Sequence, residues 1–181
     1  MSDVSQGYLF KVIVVGEGGV GKTTFINRYT TQKFIESTKI TIGAGFYSID
    51  KRINGDSVKL QVWDFGGEKR FRFILPSYCK GTSGVILAFD LTRPSSLWNL
   101  EEWFDLVKKN TNNPVTFVIG TKADEVEKFG ARSVNDGQIA DFLKKHNLTS
   151  NFFFKTSSKT GQNVKEVFVQ LTNLLYKRAK K

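Results

Sequence analysis

The chain has 181 residues and a formal net charge of +10, with 40% hydrophobic and 24% charged residues. That length fits one domain able to bury a core without disulfides or structural metals. One cysteine, Cys79, excludes an intrachain disulfide and a cysteine-built zinc site, and one histidine, His146, excludes catalysis by a histidine dyad.

Strand-like and helix-like segments alternate along the chain without a linker, repeat or low-complexity stretch. This alternation predicts a mostly parallel sheet with helices on both faces. Phe10 to Val15 reads as a buried first strand. The apolar run around it, Tyr8 to Val15, is interrupted by Lys11 and is far too short to cross a bilayer. With no export signal and a lone thiol, a reducing, cytoplasmic location is expected. A glycine-rich turn leads into a helix from about Lys22 to Thr31. Phe46 to Ile53 and Ser57 to Trp63 flank Asn54-Gly55-Asp56, whose turn chemistry predicts the one antiparallel hairpin. Gly84 to Phe89 is the next buried strand. Ser95 and Ser96 open a helix carrying Leu97, Leu100, Phe104 and Val107 at helical spacing. A strand from Val115 to Ile119, a helix from Val134 to His146, a strand from Phe152 to Phe154 and a helix from Val164 to Arg178 complete the pattern. A domain over 8–178 is expected, with 1–7 and 179–181 as flexible termini.

Between the first strand and helix, Gly16-Glu17-Gly18-Gly19-Val20-Gly21-Lys22-Thr23 fits G-x-x-x-x-G-K-[ST]. The glycines let successive backbone N–H groups turn inward as an anion-binding nest at a helix N-terminus. Lys22 supplies positive charge to the β- and γ-phosphates of a nucleotide, and Thr23 offers its hydroxyl to Mg²⁺. Asp64 ends the hairpin's second strand in Asp64-Phe65-Gly66-Gly67, where a carboxylate can hold Mg²⁺ through water. Gly67 can bring its N–H against a γ-phosphate because no side chain blocks the approach. Thr41, before the hairpin, can complete the Mg²⁺ shell.

Thr121-Lys122-Ala123-Asp124 follows a strand and has the form [NT]-K-x-D. Ionised Asp124 accepts from N1–H and the exocyclic amine of guanine. Adenine offers neither donor and would leave the buried carboxylate unpaired, at a cost of roughly 1–3 kcal/mol or more. The stem of Lys122 can lie along the base, and Ser158, within Thr156-Ser157-Ser158-Lys159, can donate its backbone N–H to the guanine O6.

Together these motifs resemble the Ras superfamily of small GTPases over nearly the whole chain. The resemblance implies a P-loop NTPase α/β fold, with a six-stranded mostly parallel sheet flanked by about five helices. It implies a nucleotide site of Gly18, Gly19, Val20, Gly21, Lys22, Thr23, Thr24, Thr41, Gly67, Thr121, Lys122, Asp124, Ser157, Ser158 and Lys159, with Phe34 against the guanine ring. GTP or GDP and Mg²⁺ are the implied ligands, the metal held by Thr23, Thr41 and Asp64. Segments 35–43 and 65–78 would be the switches that order around GTP and meet effectors, an exchange factor and a GTPase-activating protein.

The chain departs from the family at several points. Glu68 stands where members usually carry glutamine. An ionised glutamate accepts but cannot donate, and its charge repels a γ-phosphate, so slow intrinsic hydrolysis is expected. Glu68, Lys22, Thr41 and Gly67 are the catalytic candidates, and Arg70 and Arg72 could act in cis. The alternative is a non-hydrolysing, GTP-bound scaffold. Trp63 to Gly67 follows an Arf-type pattern amid Rab- or Ras-like surroundings. Phe46, Phe71, Phe73 and Tyr78 are candidate effector anchors. Ser2 and the end Lys180-Lys181 carry no lipidation motif. Only weak contact with anionic membrane is expected from Lys177, Arg178, Lys180 and Lys181. A monomer that does not bind nucleic acid is expected.

Overall fold

The computed structural model describes residues 6–35 and 41–181, without the side chain of residue 71. In chain order these form β1 (Gly7–Val15), α1 (Lys22–Thr31), β2 (Ala44–Ile53), β3 (Asp56–Phe65), α2 (Leu75–Cys79), β4 (Thr82–Asp90), α3 (Pro94–Trp98), α4 (Leu100–Asn110), β5 (Val115–Thr121), α5 (Val126–Phe129), α6 (Asp136–Lys145), β6 (Phe153–Lys155) and α7 (Val164–Ala179). The sheet order is β2-β3-β1-β4-β5-β6. Only β2 and β3 run antiparallel; the other neighbours are parallel. The chain winds to one side of β1 and then returns to the other. That puts a topological switch point at the C-terminal end of β1, where ligands of such sheets bind.

Alternation along the strands divides the core into two layers. Val12 and Val14 of β1 face Phe25, Ile26 and Tyr29 of α1 and Phe168 and Leu171 of α7. Ile13 and Val15 face the opposite layer, with Trp103 and Phe104 of α4 and Phe142 of α6. Both faces are covered, which explains why β1, β4 and β5 read as continuous apolar runs. In the hairpin, Asn54 and Gly55 take φ of 51° and 87°, the left-handed pair a two-residue turn requires.

Strands β1 to β5 extend one to three residues beyond the expected ends, and two helix starts move for local reasons. The helix expected to open at Ser95 begins at Pro94, whose fixed φ suits a first turn, and it is divided into α3 and α4 at Asn99. The helix expected from Val134 begins at Asp136 because Asn135 caps it. Its side chain accepts from Gln138 N–H at 2.9 Å, and the Gln138 side chain accepts from Asn135 N–H at 3.0 Å. The last strand is displaced by one residue, to Phe153–Lys155.

At the sheet end remote from the switch point, Asp56 gathers three donors. Tyr176 O–H donates to it at 2.7 Å, Gln6 N–H at 3.0 Å, and the Lys180 ammonium lies 2.9 Å away. Lys180, which the sequence reading leaves in a flexible tail, is thus tied to the hairpin turn. The Tyr176 hydroxyl, then Lys180, hold the Asp56 carboxyl down to about 2. A carboxylate with a depressed folded pKa contributes stability above its unfolded pKa and loses it as pH falls through the folded value. Urea unfolding at pH 5 and at pH 2.5 should therefore show a smaller acid loss for Asp56→Asn than for the unaltered protein.

Candidate functional site

The loop between β1 and α1 lies at the switch point. Gly21 enters α1 with φ of 91°, a left-handed conformation that needs glycine. Lys22, only 5% exposed, folds its ammonium back onto the loop and donates to the carbonyls of Gly16 and Glu17, each at 2.9 Å. Burial pulls its pKa down to about 8, against the partial support of Asp64. A buried ammonium satisfied only by carbonyl dipoles is a site that favours an anion.

Beside it, three oxygens converge. The Thr23 hydroxyl donates to Asp64 Oδ2 and lies 2.8 Å from the Thr41 hydroxyl. Asp64 Oδ1 is buried without a hydrogen-bond partner. Burial raises the Asp64 pKa, while the Thr23 hydroxyl and Lys22 oppose that rise. An all-oxygen set with one orphaned carboxylate oxygen fits a hard cation such as Mg²⁺. Among the described residues no three His, Cys, Asp or Glu side chains cluster to make a protein-only cage. Mg²⁺ commonly takes one or two carboxylates and completes its shell from phosphates and water.

Gly67 closes the loop from the β3 side, and its carbonyl accepts from Gly18 N–H at 3.1 Å. A Cβ at Gly67 would stand 2.2 Å from the Glu17 carbonyl carbon and the Gly18 nitrogen, so the approach demands glycine.

The segments expected from sequence to read the base lie at the same end of the sheet. Asp124 accepts from the Ser157 hydroxyl at 2.5 Å, and Ser157 Oγ in turn accepts from Thr160 N–H at 3.1 Å. Ser157 therefore orients the carboxylate rather than presenting a free hydroxyl. The Thr121 hydroxyl lies 2.6 Å from the Val20 carbonyl and 3.0 Å from that of Phe89, tying the base loop to the phosphate loop. Lys122 stands at φ of 59° with its ammonium 2.6 Å from buried Asp90. Thr24 lies half-buried in the first turn of α1, Ser158 is half-buried, and Lys159 is exposed. Phe34 is 41% exposed beyond α1. Of the expected first switch, 35–43, residues 36–40 lie outside the described residues, as do 1–5 of the expected N-terminal tail.

Around Glu68 the arrangement differs from the simplest expectation. Its carboxylate accepts from Arg70 Nε at 2.5 Å, so its charge is partly compensated. Arg72, a cis candidate from sequence, instead pairs with Glu102 and stacks 4.6 Å over Trp103, turned towards α4. The guanidinium that does reach the loop is that of Arg93, which donates to the Gly18 carbonyl at 2.8 Å and lies 3.2 Å from Glu17 Oε2. Asn99 also donates to Glu17, at 3.1 Å. Sequence reasoning missed Asp90, Arg93 and Asn99. The available signal was their place at the end of β4 and in the segment that follows it, since β4 flanks β1 at the switch point.

A model of the Ras family matches residues 11–177. The Ras-related protein Rab-27B of Bos taurus is 36% identical over 98% of this chain and 84% of its own length. Its counterpart in Rattus norvegicus is 35% identical over the whole of this chain and 86% of its own length.

A polyanion beside Lys22 would raise that lowered pKa back towards the ordinary lysine range. At a pH just above the ligand-free value of about 8, binding then takes up protons. Calorimetry of GDP binding at pH 8.5 in buffers of different ionisation enthalpy should show net uptake of roughly three quarters of a proton or less, and clearly above zero. An enthalpy independent of buffer would contradict the assignment.

Proposed function

The chain belongs to the Ras family, and we propose that it is a GTP-dependent switch with slow intrinsic hydrolysis, its domain spanning 8–178. As a member of that family it binds GTP and GDP with Mg²⁺ and is a GTPase. The observation that carries the residue-level reading is the convergence of half-buried Thr23 and Thr41 on buried Asp64 beside buried Lys22. Asp64 Oδ1 has no hydrogen-bond partner and Lys22 is held by loop carbonyls alone, and a Mg²⁺–polyphosphate offers both a counter-ligand.

In this reading the backbone N–H groups of Gly19 to Thr23 and the Lys22 ammonium hold the phosphates, while the Gly18 N–H stays on the Gly67 carbonyl. Thr23 and Thr41 offer oxygens to the metal, and Asp64 supports it through water. Mg²⁺, when bound, neutralises charge on the β- and γ-phosphates. Lys22 reaches a phosphate only after leaving the carbonyls of Gly16 and Glu17, so one set of hydrogen bonds replaces another. Gly67 presents its N–H to the γ-phosphate end. Asp124, oriented by the Ser157 hydroxyl, selects guanine, while Lys122 and Phe34 flank the ring.

Glu68 occupies the water-positioning place. Its carboxylate accepts hydrogen bonds and donates none, and Arg70 already engages one oxygen. The same pairing gives weight to the second reading, a GTP-bound scaffold without turnover.

Partners would meet the switch faces. Phe46 packs edge-on against Trp63 with ring centroids 5.1 Å apart, and Trp63 lies 5.0 Å from Tyr78. Phe73 is 79% exposed nearby. Such grouped aromatics suit the anchor role in an interface. Among the described residues no helix is long and apolar enough to cross a membrane. Weak attraction to anionic lipid would fall to Lys177, Arg178 and Lys181, since Asp56 compensates Lys180.

Single-turnover GTP hydrolysis separates the readings. Glu68→Gln should accelerate the step by about tenfold, equivalent to ~1.4 kcal/mol of barrier. An unchanged or lower rate in the variant, with slow turnover in the parent, would count against Glu68 as the brake. No turnover in either protein favours the scaffold.

A further inference from the structure

A well-formed cavity lies far from the nucleotide crevice. It opens where the end of α4, the exit of α6, the start of β5 and the end of α7 meet, and it has a volume of about 810 Å³. That lies within the range of ~300–1,000 Å³ of small-molecule sites. Val115 and Thr116 line it, whereas Thr121, at the other end of β5, belongs to the base-reading segment. Six residues of strand put the two sites roughly 20 Å apart.

The walls and the mouth have opposite chemistry. Phe104, Val107, Leu148, Phe152 and Leu174 form an apolar wall over a floor at Leu87. Four exposed cations, Lys108, Lys177, Arg178 and Lys181, line the same cavity, and among the described residues no Asp or Glu lines it. Arg178 is fixed across the mouth by donating to the Asn113 carbonyl at 2.6 Å. His146 adds an independent sign. Its side chain is only 9% exposed and lines the cavity, yet Nε2 is buried without a hydrogen-bond partner. The nearest carboxylate, Glu101, is 3.9 Å away, beyond hydrogen-bond reach. Buried polar atoms are rarely left in that state unless something else supplies the partner.

We propose that this cavity binds a single-chain amphiphilic anion, an aliphatic tail carrying a carboxylate or phosphate. The tail lies against the apolar wall. The headgroup stays at the mouth among the lysines and Arg178, where charge complementarity selects an anion. His146 offers the bound molecule one further polar contact. An acidic peptide would engage the cations at the mouth but leave the apolar interior unfilled.

The test uses the whole chain loaded with GDP and the fluorescent fatty acid 11-(dansylamino)undecanoic acid, below its micellar concentration. Saturable binding is expected, with displacement by dodecanoate and dodecyl phosphate. Their relative strength tells whether the mouth prefers carboxylate or phosphate. Dodecanol should compete ~tenfold less well or worse, and inorganic phosphate should not compete. Thr149→Trp, an exposed position lining the cavity, should block the interior and abolish binding. Lys108→Glu with Lys177→Glu should weaken it by ~tenfold or more. Unchanged GDP affinity in both variants shows that the fold and the nucleotide site are intact. Four results would overturn the proposal: no saturable binding, equal binding by Thr149→Trp, dodecanol competing as well as dodecanoate, or displacement only by polyglutamate.

Discussion

A buried ammonium is the constraint around which the functional end of this fold is organised. Lys22 sits at the first position of α1, where the strand–loop–helix connection takes it out of water. Its burial lowers its pKa, and in the ligand-free chain only loop carbonyls and the nearby Asp64 offset the cost. Asp64 is strained in the opposite sense, with its pKa raised by burial and one oxygen orphaned. Two charges of opposite sign are held near each other without directly satisfying one another. That arrangement leaves room for a ligand bearing both signs, and a metal–polyphosphate complex does so. Polar groups left partly satisfied are costly, so such a site persists only where a ligand completes it.

The sheet makes the arrangement possible. β1 is covered on both faces and flanked by β3 and β4, so its C-terminal end is fixed by packing on every side. The phosphate loop leaves β1, Asp64 is the penultimate residue of β3, and Asp90 ends β4. The Thr121 hydroxyl bridges to Val20, and Arg93 and Asn99 brace Gly18 and Glu17 from the far side. The glycine-rich loop, Asp64 and the segment proposed to read the base are thereby joined at one end of the sheet.

Much of this was legible in the sequence because the signals were local. The phosphate loop, the Asn54-Gly55 turn and the apolar strands each specify their conformation within a few residues, and each stands within three residues of its expected place. Helix ends were less legible. A cap such as Asn135 competes with Val134 for the first helical position, and side-chain hydrogen bonds decide the outcome. Least legible were contacts between elements distant in sequence. Nothing near Arg93 announces that its guanidinium reaches Gly18, 75 residues away, or that Lys180 closes onto Asp56. Arg72 looked suited to the crevice from its position, but Trp103 and Glu102 on α4 hold it elsewhere. Such pairings follow from topology, which composition and spacing constrain only coarsely.

The most direct test is calorimetric titration of the nucleotide-free chain with GDP and with ADP, each with and without Mg²⁺. If the Lys22–Asp64–Thr23 cluster is completed by a metal–polyphosphate and Asp124 reads the base, GDP binds more tightly with Mg²⁺ than without. It should also bind at least about a hundredfold more tightly than ADP. Equal affinities for the two nucleotides, or GDP binding indifferent to Mg²⁺, would contradict that account.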